Sequence, residues 1–265
     1  MSRIGHGRCG AKAERLRLKL GAMVNSIELA AFSDTGTELG HNEDHCGKLQ
    51  LDGACGVVVV ADGMATFEGG ELASSRAILG FLRGFREQPA DRSLSNRVLR
   101  AARGANFEVY DMAVVVPQLR GMSTTLTAVA VESGKVACAH VGNGRVYRLR
   151  DGSLEQLSKD HTVFAESPNP LSFGGPGSRV FRDDHLLTRS LGRELIVTVD
   201  LFETTLGPGE TLIVCTDGLY NVITEREMAE IAEAGPANEA CLRLIAKANS
   251  YGTLDNLTVA MVRAA

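Results

Sequence analysis

Apolar positions along the chain follow two periods. Runs at 27–33, 55–61, 124–131, 135–141, 145–149, 195–201, 211–216 and 257–262 read as β-strands. Between them, Ile78, Phe81, Leu82 and Phe85 recur at helical spacing, as do Leu94, Val98, Ala101, Ala105, Val109 and Met112. Cys241, Leu244, Ile245 and Ala248 form a third stripe near the end. These stripes read as core faces of helices. Glu132-Ser133-Gly134 reads as a tight turn between two strands, and only Gly142-Asn143-Gly144 separates the next pair. Consecutive short connections favour antiparallel pairing over parallel crossovers. The element order is strands, two helices, many strands, then helices and a last strand. It predicts an α+β fold in which an antiparallel sheet system carries its helices outside.

Two of the apolar runs end alike. Val57–Ala61 leads into Asp62-Gly63, and Leu212–Cys215 leads through Thr216 into Asp217-Gly218. A continuous apolar run suits a strand covered on both faces, and Asp-Gly suits its exit. Two carboxylates therefore stand at the tips of two core strands. With Glu43-Asp44 and Asp255-Asn256 they make a set of hard oxygen donors, which suits Mg²⁺ or Mn²⁺ better than zinc.

Composition narrows the classes. The 265 residues are 44% hydrophobic and 23% charged, as in ordinary globular chains, and one domain accommodates them. A net charge of −4 gives no case for nucleic-acid binding. No stretch reaches the roughly 18 apolar residues of a membrane helix. The N-terminus has no apolar signal core, so a cytoplasmic location is expected. Cysteines at 9, 46, 55, 138, 215 and 241 form no CxxC pair, and Cys138 and Cys215 read as small buried hydrophobes. Residues 1–22 are basic, with Arg3, Arg8, Lys12, Arg15, Arg17 and Lys19 against Glu14 alone, and read as a solvated tail ahead of a domain at 23–265. Residues 163–185, crowded with Pro168, Pro170, Gly174, Gly175, Pro176 and Gly177, read as a flap beside the site.

The order of the polar phrases carries more than any one of them. Ser33-Asp34-Thr35-Gly36 leads to Asn42-Glu43-Asp44, then Ala61-Asp62-Gly63-Met64 and Gly69-Gly70-Glu71. Ser123-Thr124-Thr125-Leu126, Val141-Gly142-Asn143-Gly144-Arg145 and Lys159-Asp160-His161 follow. Leu187 to Gly192, Cys215-Thr216-Asp217-Gly218-Leu219 and Asp255-Asn256-Leu257-Thr258-Val259 complete the series. From about Asn25 to Arg263 the chain resembles the metal-dependent protein serine/threonine phosphatases of the PPM, or type-2C, family in its compact bacterial form.

That resemblance implies a two-sheet antiparallel β-sandwich flanked by helix pairs, a four-layer αββα arrangement. It also implies a pair of Mn²⁺ or Mg²⁺ ions. By position, Asp62 would bridge the ions, and the Gly63 carbonyl, Asp217 and Asp255 would bind them directly or through water. Asp44 would be a ligand or an acceptor from metal-bound water, with Glu43 its neighbour in that role. Asp44 and Asp62 are thus the acids closest to catalysis. The reaction implied is hydrolysis of phosphoserine and phosphothreonine in proteins, by a monomer opposite a partner serine/threonine kinase.

Three positions depart from the family. Leu39 stands where an arginine usually grips phosphate, and leucine offers no bidentate fork; His41 and Arg145 are the candidates to replace it. Phe67 stands where bacterial members carry a histidine suited to protonate the leaving alkoxide. Asn143 stands where an aspartate helps hold a third, weaker metal, so a third ion would bind weakly or not at all. These departures keep two rivals open: a phosphatase-like scaffold that binds a phosphoprotein or regulatory partner with little turnover, and hydrolysis of a small phosphomonoester. Other signals have plainer readings. Gly5-His6-Gly7-Arg8-Cys9-Gly10 matches a dinucleotide motif by letter but follows no strand. His45 and His161 read as structural, and Ser123 and Thr124 as packing residues.

Overall fold

The computed structural model describes residues 24–64, 69–167 and 186–264. Its elements in order are β1 (Ile27–Asp34), β2 (Asp44–Gln50), β3 (Cys55–Met64), α1 (Gly69–Glu87), α2 (Leu94–Val115), β4 (Ser123–Thr124), β5 (Leu126–Glu132), β6 (Lys135–Val141), β7 (Arg145–Arg150) and β8 (Ser153–Gln156). They continue with α3 (Val163–Glu166), β9 (Asp200–Thr205), β10 (Thr211–Cys215), α4 (Asp217–Tyr220), α5 (Glu225–Glu233), α6 (Ala237–Tyr251) and β11 (Leu257–Ala264). The tail at 1–22, Phe67 and residues 168–185 of the expected flap lie outside the described residues.

The strands form two antiparallel sheets. One runs β1-β11-β10-β7-β8; the other runs β2-β3-β5-β6-β9, with β4 paired to β3. Period-two alternation sorts each central strand's side chains between two cores. In β3, Val58 and Val60 join Val129, Leu212, Val214 and Ala260 in a core made of the two sheets alone. Val57, Val59 and Ala61 turn outward onto Ala73, Phe81 and Val98 of α1 and α2. In β10, Leu212 and Val214 face the sandwich, while Ile213 and Cys215 meet Met228 of α5 and Leu244 of α6. Both faces of these strands are covered, which is why their sequences are continuously apolar. The result is the four-layer αββα arrangement expected from the resemblance.

The β5–β6 hairpin is closed by Ser133 (φ 49°) and Gly134 (φ 83°) between paired Glu132 and Lys135. Two successive positive φ values suit a two-residue hairpin turn. The next short link departs from expectation. Gly142-Asn143-Gly144 does not join a hairpin; it carries the chain from β6 in one sheet to β7 in the other. The strand expected at 195–201 is also displaced, since β9 begins at Asp200 and Ile196 is 79% exposed. Cys46, Cys55, Cys138, Cys215 and Cys241 are all free thiols, and among the described residues no helix is long and apolar enough to cross a membrane.

Candidate metal centre

The candidate acids gather at one edge of the sandwich, where the two sheets part. Asp44 opens β2 and pairs in register with Asp62 of β3. Asp62 continues the parity of Val58 and Val60, so it belongs to the face turned toward the opposite sheet. From that sheet come Asp217, which opens the helical turn after β10, and Asp255, just before β11. Asp44 and Asp217 are buried, at 3% and 8% exposure.

Burial and mutual repulsion dominate the electrostatics. Burial pushes the Asp44 carboxyl up to about 7, with Asp217 and Asp255 adding to the rise, although hydrogen bonds from Thr216 and Thr258 oppose it. Burial also raises Asp62 well above the usual carboxylate range, and Asp44, Asp217, Asp255 and Glu43 add to it. The charges that act most on Asp62 are therefore all negative.

The scaffold around them is specific. The Thr216 hydroxyl donates to Asp44 Oδ2 at 2.7 Å, joining the two sheets across the gap. The Asp62 amide donates to Thr125 Oγ1 at 2.9 Å, while Thr124 Oγ1 and the Thr125 amide donate to the Asp62 carbonyl at 2.8 and 2.9 Å. These bonds occupy Thr125 at the break between β4 and β5. Asn256 Oδ1 accepts from the Glu43 amide at 2.8 Å, and its Nδ2 donates to the carbonyls of Thr35 and His41. One side chain thus ties the Asp255 turn to the loop that presents Glu43. Sequence reasoning assigned no role to Thr125, Thr216 or Asn256, because nothing in periodicity separates them from other strand-end polar residues.

Both Asp-Gly glycines answer to close backbone crossings. A β-carbon at Gly63 would run into the Gly70 carbonyl and stand 2.7 Å from the Glu43 carbonyl oxygen. One at Gly218 would run into the Asn256 carbonyl and stand 3.2 Å from the Asp255 Cβ. The glycines let the acid-bearing segments meet. Gly70 does the same for Glu43, whose carboxylate lies over the first turn of α1, where helix-dipole charge favours an anion.

The two candidate phosphate grips fare differently. Arg145 is committed elsewhere. Its guanidinium donates to both Asp160 oxygens, with 2.8 Å for Nη2 to Oδ2, donates to Tyr147 Oη at 3.2 Å, and lies 3.7 Å from the Tyr220 ring centre. A cation so engaged is held within the fold by Asp160, Tyr147 and Tyr220. His41 is open, with a side chain 65% exposed and Nε2 3.5 Å from Glu43. Leu39 is 39% exposed on the same loop. Asn143 lies within the acid cluster, donating from Nδ2 to Asp217 Oδ2 at 3.0 Å.

The donor set fits a pair of small divalent cations. It is all oxygen, it is buried at Asp44 and Asp217 and partly buried at Asp62 and Asp255, and its own repulsion adds to the raised proton affinity of Asp44 and Asp62, which a cation would relieve. Among the described residues no three His, Cys, Asp or Glu side chains form a ready-made cage. Magnesium-type ions rarely need one, since they keep several waters and take one or two carboxylates each.

The protein phosphatase 2C family profile matches residues 40–239. The serine/threonine phosphatase stp of Listeria monocytogenes is 32% identical over 87% of this chain and 93% of its own. Among solved structures, the PPM Ser-Thr phosphatase MsPP of Mycobacterium smegmatis is 30% identical, with a TM-score of 0.75, over 91% of this chain and all of that one. The catalytic domain of the phosphatase PstP in complex with two manganese ions is 29% identical, with a TM-score of 0.75, over 89% and 97% of the two chains. Sequence, strand order and the converging acids agree, and the chain belongs to the protein phosphatase 2C family.

Proposed function

We propose that the protein hydrolyses phosphoserine and phosphothreonine esters in proteins at a centre of two Mn²⁺ or Mg²⁺ ions. Asp62, Asp217, Asp255 and the Gly63 carbonyl would hold the ions, with Asp44 and Glu43 beside them. The observation that carries this reading is the convergence of Asp44, Asp62, Asp217 and Asp255, from both sheets, into one corner where burial, with their mutual repulsion added, raises the proton affinity of Asp44 and Asp62. Divalent ions bound there would supply positive charge to phosphate oxygens and make a water acidic enough to attack near neutral pH.

The chain's own residues do the rest. Asp44, held by Thr216, would accept a proton from attacking water. The threonine pair 124–125 fixes the backbone that presents Asp62 and Gly63. Burial keeps bulk water from screening these charges, so each acts more strongly than it would at the surface. His41 is the remaining candidate to meet substrate phosphate. A partner kinase pathway, a cytoplasmic location and a monomeric state belong to the same reading.

The scaffold alternative rests on Leu39, Phe67 and Asn143. Against it stands the complete acid set, whose mutual repulsion would be a cost without use in a protein that binds no cation. Hydrolysis of an aryl phosphate and of a phosphothreonine peptide, each with and without Mn²⁺, decides between them. Turnover of both that disappears in Asp217→Asn supports the enzyme. A folded protein that turns over neither at high Mn²⁺ is a scaffold. Aryl turnover alone points to a small phosphomonoester.

A further inference from the structure

We propose that Asn143 is a positioning residue for Asp217, and that Tyr220 and Arg145 hold Asn143 in place. This rests on the two-cation reading of the site. Asn143 is buried in the link that crosses between the sheets. A carboxylate only accepts hydrogen bonds, so the 3.0 Å contact with Asp217 Oδ2 requires the Asn143 amide nitrogen to face it. The link is fixed from the other side, because the Tyr220 hydroxyl donates to the Asn143 carbonyl at 3.1 Å. Tyr220 follows Asp217 by three residues on the same helical turn, so the two side chains share a face. Arg145 lies over the Tyr220 ring and is itself gripped by both oxygens of Asp160.

The path therefore closes on itself, from Asp217 through Asn143 and Tyr220 back to the turn that carries Asp217. One oxygen of Asp217 is oriented before any ion arrives. A neutral amide does this without adding to an already crowded set of negative charges. An acid at the same place would need a cation of its own. Partners that orient a metal ligand typically contribute about 10–100-fold to metal affinity.

Titration calorimetry of the metal-free full chain with Mn²⁺ tests this, alongside the Mn²⁺ dependence of aryl phosphate hydrolysis. Asn143→Ala should weaken Mn²⁺ binding about 10–100-fold. The Mn²⁺ needed for half-maximal activity should rise by a similar factor, with kcat largely recovered at saturating metal. Tyr220→Phe keeps the ring under Arg145 and removes one hydroxyl, and should weaken binding by a smaller factor in the same direction. If Asn143→Ala lowers the melting temperature but takes up Mn²⁺ like the parent, Asn143 is a packing residue and the proposal is wrong. Parent-like affinity in Tyr220→Phe removes Tyr220 from the path. A parent that binds no Mn²⁺ overturns the two-cation reading itself, and this inference with it.

Discussion

The hydroxyl of Thr216 reaches across the parting of the two sheets to Asp44, 2.7 Å away. It lowers the proton affinity of that buried acid, and it also spans the two halves of the sandwich. Thr216→Val keeps the shape and removes both this bond and the one that Thr216 Oγ1 accepts from the Thr258 amide. A lost hydrogen bond to a buried charged group costs about 1.5–3 kcal/mol. The variant should be less stable by that amount, and its Mn²⁺ affinity should fall about 10-fold. Denaturant unfolding with and without Mn²⁺ measures both, and a parent-like variant would show that the bond is incidental.

Close crossing, rather than turn geometry, accounts for the glycine of the first Asp-Gly. Gly63→Ala should therefore destabilise the fold by about 1–3 kcal/mol or more, since a backbone carbonyl cannot step aside as a side chain can. Gly104 is the control. It lies on the exposed face of α2, and a methyl group added there would have nothing within 4 Å, so Gly104→Ala should stabilise by about 0.5–1 kcal/mol. Opposite signs in thermal melts are expected, and equal effects would contradict the crossing argument.

Asn143→Asp places a carboxylate against Asp217 where an amide now donates. Without metal the variant should melt earlier than the parent, because like charges at about 3 Å cost more when buried. Saturating Mn²⁺ should raise its melting temperature more than it raises the parent's. Equal shifts in the two proteins would show that position 143 does not sense the ions.

Acid stability has a different owner. His140 is buried, and burial and the neighbouring His161 hold its proton affinity down to about 3. Its Nε2 faces the Lys159 carbonyl at 3.1 Å, so that nitrogen carries the proton and Nδ1 accepts from Thr127. The folded ring is neutral where the unfolded one, with an ordinary value near 6.5, is charged. The unfolded state thus binds more protons between these limits, and stability from this group is complete above about 6.5 and lost as pH falls toward 3. His140→Gln should be less stable at neutral pH. Its loss of stability across this window should be shallower by up to about 1.4 kcal/mol per pH unit, the worth of one proton. Parallel stability curves for parent and variant would assign acid sensitivity to other groups.

Much of the fold was legible because the central strands are covered on both faces. Val57–Ala61 and Leu212–Cys215 had to be apolar at every position, and no surface strand needs that. Two edge strands, β2 and β9, escaped for the opposite reason. β2 reads Asp-His-Cys-Gly-Lys-Leu-Gln, with most of it only partly covered, and β9 alternates partly buried with exposed residues. The apolar stretch at Leu195–Val197 drew the expectation to a loop instead. The Gly142-Asn143-Gly144 link has a hairpin's length, and only tertiary packing shows that it changes sheets. At the site, the acids were marked by the order of their phrases. Thr125, Thr216 and Asn256 stand in the same phrases, yet their roles were not legible, because their work is done through bonds to segments up to 221 residues away. Arg145 stood near the right place, yet nothing local announces that Asp160 holds it.

Asp62 and its acidic neighbours, on the reading proposed above, hold two divalent cations. Calorimetric titration of the metal-free chain with Mn²⁺, run beside Asp62→Asn, tests it most directly. Two ions should bind per chain in the parent. In the variant binding should be lost, and the metal-free melting temperature should lie above the parent's, because one desolvated, repelling acid is gone. A parent that takes up no Mn²⁺, or a variant that binds two ions as well as the parent does, would contradict that reading.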